Sequence, residues 1–390
     1  MKVTDSIFNI GVNDHNIDLF EGQYHVPDGI SYNSYIIFDD KIAVIDSVDV
    51  SFSEEWLENM ADTLNGRRPD YLIVLHMEPD HSASMLNFLK HYPDTTIISN
   101  KKSFEMMEAF YELSSLCTKP FKKIEISNGD SISLGKHCLN FLFAPMVHWP
   151  EVMVMYESTE KILFSADAFG RFGAINTTSS LTWDDEARRY YIGIVGKYGT
   201  QVQTLLKKAA SLEINTICSL HGPVLTDNLA HYINLYDTWS SYRPESEGVL
   251  IVYASVYGNT KDAAMMLSTH IHNYGKDDVE VLDLARCDMH DAIAKAFKYS
   301  HLVICSLTYN ADVFPCIKTF LNGLVERNYS NRTVGLIENG SWAPLAAKKI
   351  KESLADCKNI TFCDTVVSIR SSVKSTDADD IRQLAKELVE

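Results

Sequence analysis

Positions 76–82 read HMEPDHS, directly after the apolar run YLIVL. His76, Glu78, Asp80 and His81 therefore crowd the end of one predicted strand. Three further residues of ligand type stand where other apolar runs stop: HCLNFLFAPMVHW carries His148, KILFSAD ends in Asp167, and INTICSLHG carries His221. Imidazoles and carboxylates bind first-row metals, and strands behind short loops can hold such ligands still. One ion rarely takes four histidines and three carboxylates, so the set points to two ions sharing a bridging carboxylate. The natural division gives His76, Glu78 and His148 to one ion and Asp80, His81 and His221 to the other, with Asp167 spanning both. A hydrolytic dizinc site on this kind of scaffold reads H-x-H-x-D-H, and here Glu78 replaces the second histidine. The added negative charge favours an ion that cycles between two oxidation states, and mixed imidazole–carboxylate ligation suits non-haem iron. His25, in YHVPDGISYNS, is either a proton donor behind the ligands or a plain loop residue.

A second constellation lies in LIVYASVYGNTKDAA. Ser255, Tyr257, Gly258, Asn259 and Thr260 form a polar loop between a buried strand and a helix. Free N–H groups at a helix start, with the positive end of its dipole, favour a phosphate. The G-K-[ST] lysine of an ATP-binding loop is missing. SLTYNADVF supplies Thr308, Tyr309 and Asn310, and ENGSWAP supplies Asn339, Gly340, Ser341 and Trp342. Tyr309 and Trp342 offer faces to a flat ring system, so one phosphate loop with flanking aromatics indicates FMN.

The elements that must carry these residues follow from the apolar pattern. SYNSYIIF, KIAVIDS, YLIVL, HCLNFLFAP, KILFSAD and INTICSL read as strands, and SEEWLENMADTL places Trp56, Leu57, Met60 and Leu64 at helical spacing. WDDEARRYYIGIVGKYGTQVQTLLKKAASL reads as mostly helical. YDTWSSYRPESEG marks a boundary, which divides the chain into residues 1–246 and 247–390. Beyond it five apolar strands alternate with helices, the pattern of a flavodoxin-like doubly wound parallel sheet.

Composition narrows the function class. A net charge of −17 over 390 residues argues against nucleic-acid and anionic-membrane partners, which call for a basic face. No run is long and apolar enough to span a bilayer, and the opening MKVTDSIFNIGVND is not expected to be a secretory leader. The eight cysteines are scattered, with no C-x-x-C pair, which suits a reducing cytoplasm.

Taken together, H-x-E-x-D-H, the distant His148, Asp167 nineteen positions later, His221 and a flavodoxin-like C-terminal half resemble the flavodiiron proteins, also called A-type flavoproteins. The resemblance covers nearly the whole chain. It implies an α/β fold with an N-terminal metallo-β-lactamase-like αββα domain, two iron ions on the seven ligands above, and FMN. The implied activity is reduction of O2 to water, of NO to nitrous oxide, or both, protecting an anaerobic type of metabolism. A head-to-tail homodimer, or a dimer of such dimers, is implied too. No rubredoxin-like C-x-x-C follows the flavodoxin-like region, so an external donor such as rubredoxin or a reduced flavoprotein is expected. Two other readings stay open at this point: a dizinc, glyoxalase-II-like hydrolase fused to an electron-transfer domain, and a diiron gas sensor. The phosphate loop gives a direct test. Replacing Asn259 and Thr260 together with alanine should weaken FMN binding about tenfold or more while affecting riboflavin, which lacks the phosphate, far less. Fluorescence titration of both flavins reads the difference, and equal losses would contradict the loop assignment.

Overall fold

In the computed structural model, which describes residues 1–111, 121–178 and 181–389, the apolar runs become strands of three large sheets. The described residues fall into two units. One comprises Met1–Tyr191 with Thr200–Tyr236, the other Ile192–Gly199 with Asp237–Glu390. Cys117 lies outside the described residues.

The first unit is built from two sheets. The six-stranded one runs, in spatial order, Ile7–Asn9, Tyr35–Ile37, Ala43–Ile45, Tyr71–Ile73, Thr96–Asn100, Lys122–Ile126; its first two pairings are antiparallel and the rest parallel. The five-stranded one runs Ser131–Ser133, Cys138–Phe143, Met153–Glu157, Ile162–Phe164, Thr216–Cys218, antiparallel except at its last pairing. Tyr35 of one sheet meets Phe164 of the other edge to face at 5.3 Å, and its hydroxyl donates to the Ser219 carbonyl at 2.7 Å. Parallel pairing brings Tyr71–Ile73 and its neighbours to a common end, and Ile162–Phe164 and Thr216–Cys218 do the same in the second sheet. Ligands that follow these strands are thereby delivered together.

MVMYE at 153–157 shows where the pattern reading was blind. Two methionines and a glutamate give little strand signal, yet all five residues are buried in the middle of the sheet. KKIEI at 122–126 is the converse, an edge strand exposed at four of its five residues. The helix Ser53–Leu64 buries Trp56, Met60 and Leu64, while Leu57, expected on the same face, stays half-buried.

The second unit carries a parallel sheet in the order Val279–Asp283, Ser246–Tyr253, Tyr299–Tyr309, Arg332–Asn339, Ile360–Ile369. In chain order this is 2-1-3-4-5, the flavodoxin-like arrangement. Helices Asn259–Asn273 and Ser375–Glu387 cover one face, burying Ala263, Leu267, Ile271, Ile381 and Leu384 against Val249, Ile251, Val303 and Ile337.

In the first unit the Trp56 ring is fully buried and packs against Phe88 at 5.8 Å. Trp56→Ala should cost the unit about 3–5 kcal/mol. Its urea midpoint should fall accordingly, and an unchanged midpoint would show that the Ser53–Leu64 helix contributes little.

Candidate functional site

Short-range backbone chemistry sets the first ligands. After Tyr71–Ile73, Val74 still donates to the Ile98 carbonyl at 3.0 Å, and beyond it side chains rather than a neighbouring strand take the N–H groups of Leu75 and Met77. Asp46 Oδ1 accepts from Leu75 at 2.8 Å, and Glu151 Oε1 accepts from Met77 at 2.9 Å. Pro79 then opens the helical turn Pro79–Ser82, where its fixed φ suits the first position. That turn swings Asp80 and His81 back towards His76. Ser82 ties it down by donating to the Met77 carbonyl at 2.9 Å. His148, Asp167 and His221 follow strands of the second sheet. His221 is steadied by Asn33, whose Nδ2 donates to the carbonyls of Ser219 and Gly222 at 2.9 and 2.7 Å.

The seven residues form two groups around one carboxylate. In the first, His148 Nε2 lies 3.0 Å from both Glu78 Oε2 and Asp167 Oδ2, and His76 Nε2 lies 3.2 and 3.4 Å from the same two oxygens. In the second, the Nε2 atoms of His81 and His221 face each other at 3.1 Å, with Asp80 Oδ2 at 3.4 and 3.3 Å. Asp167 Oδ1 lies 3.1 Å from His81 Nε2 without the geometry of a hydrogen bond. Asp167 thus turns one oxygen to each group. Within each group one ligand atom per residue lies within 4.8 Å of every other. The sequence-derived division into two sets is the one the geometry brings together.

The donor set fits cations. Both Asp80 oxygens, Asp167 Oδ1 and His81 Nδ1 are buried without a hydrogen-bond partner, and an unpaired buried charge is costly. His221 Nδ1 donates to the Ser31 carbonyl at 2.8 Å, which leaves its Nε2 lone pair aimed into the cluster. His76 Nδ1 does the same towards Glu151 Oε1 at 2.8 Å. The side chains of Glu78 and Asp80 keep 13% and 11% exposure, so the centre is not sealed. His25 belongs to neither group. Its side chain is exposed, and its backbone carbonyl accepts from Arg189 Nη1 at 2.7 Å.

Four supporting residues escaped the sequence reading: Glu151, Asp46, Ser31 and Asn33. Glu151 sits three residues beyond His148, and a carboxylate that near a ligand was the available signal. Asp46, Ser31 and Asn33 act through backbone groups and leave no such trace.

Charge in the cluster is strongly perturbed. Burial disfavours imidazolium at His76, but Asp167, Glu151 and Glu78 overcome it and hold its pKa well above the usual value. For His148 burial is likewise outweighed, by hydrogen bonds with Asp167 and Glu78, and the pKa rises to about 9. His81 is raised against burial by Asp80 and Asp167. Burial would raise Asp167, yet His76 and His81 drive it well below the ordinary carboxylate range. For Asp46 burial outweighs the nearby His81 and His76 and the N–H groups it accepts from, and its pKa is pushed up to about 7.

In the second unit a cavity of about 670 Å³ opens at the carboxyl ends of the strands. Every flavin-type residue singled out in the sequence lines it except Gly258, which caps the helix start beside it. Gly258 has φ +94°, a conformation that other residues enter only with strain. At Gly340 the constraint is space: a Cβ would come within 2.7 Å of Pro344 Cα. Thr308 and Tyr309 prolong the strand Tyr299–Tyr309 rather than sit in a loop, and the strand folds back onto Asp312–Val313. Asn310 and Ala311 both take positive φ at that hairpin, as a tight two-residue turn requires. A further loop contributes Ser371, which the sequence reading omitted. Its carbonyl accepts from Asn339 Nδ2 at 2.9 Å, and its hydroxyl lies 2.8 Å from that of Ser341. Tyr257 and Trp342 are 92% and 88% exposed at the rim. No lining residue carries a charged side chain.

The chain is similar to known proteins over most of its length. Residues 30–222 fit the family described as ODP family beta lactamase. A nitric oxide reductase of Moorella thermoacetica is 29% identical, over 92% of this chain and 90% of its own length. The rubredoxin:oxygen oxidoreductase of Desulfovibrio gigas has the same fold, with TM-score 0.90 and 23% identity, covering 100% of this chain and 97% of that one. A flavodiiron protein of Giardia intestinalis gives TM-score 0.89 and 25% identity, covering 100% and 96%.

The raised imidazoles set the sign of a pH test on protein stripped of metal by a chelator. An unfolded histidine loses its proton near 6.5, whereas folded His148 holds it to about 9. The folded state then binds more protons between those values, so its extra stability is full below about 6.5 and gone above about 9. The melting temperature of the stripped protein should fall across that interval. Added zinc should reverse the trend, since only neutral imidazole binds metal. A flat profile would show that these side chains do not share protons in the cluster.

Proposed function

We propose that this chain, which belongs to the flavodiiron protein family, is a reductase that converts O2 to water, NO to nitrous oxide, or both. The observation that carries the reading is Asp167, a buried carboxylate whose two oxygens face separate histidine–carboxylate groups. Two iron ions, one on His76, Glu78 and His148 and one on Asp80, His81 and His221, with Asp167 between, would supply open positions for a small gas and the electrons that reduce it. Asp167, Glu78 and Asp80 offset the cationic charge. Phe20, Tyr190 and Tyr32 surround His221 at ring distances of 5.4, 5.4 and 5.9 Å. Their apolar faces admit a small neutral molecule more readily than an ion.

The second cavity is proposed to hold FMN. The phosphate would lie on the helix start at Asn259 and Thr260, beside Ser255, and the ring against Tyr309 and Trp342. Residues 1–246 then carry the diiron domain and 247–390 the FMN domain, with residues 192–199 and 237–246 packing with the second unit rather than the first. Electrons would come from a separate donor, such as rubredoxin or a reduced flavoprotein. Electron transfer needs cofactors close together, and a head-to-tail homodimer, alone or doubled, sets one copy's flavin against its partner's irons. The place of work is the cytoplasm. Among the described residues no helix is long and apolar enough to cross a membrane.

The test combines metal analysis with anaerobic assays. Reduced rubredoxin should support consumption of O2, NO or both, while NADH alone should support little. Asp167→Ala should hold well below two metals per chain and lose gas reduction, yet keep its FMN. Zinc with hydrolase activity and no gas turnover in the wild type would overturn the reading.

A further inference from the structure

We propose that Glu151 is a positioning residue that makes the two metal positions unequal: by accepting the Nδ1 proton of His76 it fixes that ring, and makes the His76–Glu78–His148 position the tighter and more readily oxidised of the two. The inference rests on the diiron reading above.

Glu151 is 2% exposed and grips the ligand segment at two points through one oxygen. Oε1 lies 2.8 Å from His76 Nδ1 and accepts from the Met77 N–H at 2.9 Å. A carboxylate cannot donate to the ring, so Nδ1 carries the proton and Nε2 faces Glu78 and Asp167. Glu151 is itself held, since its carbonyl accepts from Asn100 Nδ2 at 2.7 Å. Asn100 is fixed in turn by accepting from Ser103 at 3.0 Å, in the first turn of the helix Lys101–Tyr111. Trp149 packs edge-on against His76 at 5.3 Å and 87°.

The other group has no such backing. His221 Nδ1 meets the neutral carbonyl of Ser31, and His81 Nδ1 has no hydrogen-bond partner. The carboxylate counts otherwise balance, with Glu78 in one group, Asp80 in the other and Asp167 shared. An imidazole whose N–H is drawn towards a carboxylate is a stronger donor through its other nitrogen, and such partners raise metal affinity and shift potential. Glu151 is therefore what breaks the balance.

The experiment uses full-length protein, first stripped of metal and titrated with zinc, which does not depend on gas turnover or redox chemistry. Wild type should take up two zinc ions per chain. Glu151→Ala should weaken one position by about 10–100-fold and leave the other unchanged. Glu151→Gln keeps an acceptor oxygen without the charge, so its loss should be smaller. In iron-loaded Glu151→Gln, a redox titration followed by EPR should show the two one-electron oxidation steps drawn closer together. FMN content and melting temperature report folding, and if Glu151→Ala fails to fold, Glu151→Gln decides. Wild-type zinc affinities and wild-type step spacing in Glu151→Gln would overturn the proposal, as would equal weakening of both positions. A wild type that cannot hold two metals would instead sink the diiron reading itself.

Discussion

Asp167 is buried with its two oxygens turned towards opposite sets of imidazoles, and much of the first unit exists to make that arrangement tolerable. A carboxylate taken out of water loses its hydration and must recover the loss locally. His148 and His76 approach one oxygen and His81 the other, yet Asp80 beside them has both oxygens without hydrogen bonds. Without metal, the surrounding carboxylates favour protons on His76, His81 and His148, whose pKa values they raise. Cations relieve the imbalance more fully, because one ion answers several lone pairs at once. The sandwich is the means. Strands from two sheets, ending at the same edge, set seven such side chains within reach of one another.

The second unit solves the opposite problem. Its cavity carries no charged lining side chain, so an anionic group is met by hydroxyls, amides and a helix start. Asn339 organises the wall. It donates to the Ser371 carbonyl, accepts from the Ser371 N–H at 3.1 Å and reaches the Thr260 hydroxyl at 3.4 Å, linking a strand end, a helix start and a loop through one side chain. The site is thereby shaped by the crevice of a parallel sheet, as ligand sites in such folds are, and not by pairing of charges.

Much of this was legible in the sequence, for physical reasons. The parallel sheet of the second unit is buried on both faces, so its strands appear as continuous apolar runs and its alternation with helices is plain. The ligands of the first unit announce themselves because histidine and carboxylate rarely cluster at strand ends without cause. What stayed hidden works through atoms that all residues share, or through residues of ambiguous pattern. Asp46 acts by capturing two backbone N–H groups, Ser31 by lending a carbonyl, and MVMYE is a central strand written without the usual β-branched residues. Ser371 enters its cavity because Asn339 fastens its loop, a contact between residues 32 positions apart.

The glutamate at position 78 acquires its meaning from this division. A third histidine there would have left the group around His76 with one shared carboxylate and no private one. As it stands, Glu78 Oε2 lies 3.0 Å from His148 and 3.2 Å from His76, on the same side as Asp167 Oδ2. Two negative oxygens thus converge between two imidazoles, and charge of that density favours a metal in its higher oxidation state. Asp80 plays the matching part in the second group, between His81 and His221. The scaffold that in hydrolases presents nitrogen-rich zinc sites is here balanced in oxygen on both sides of one bridging carboxylate. With carboxylate oxygen on both sides, the seven residues would hold a pair of ions whose charge changes, and the backing of His76 by Glu151 would then set the two positions apart.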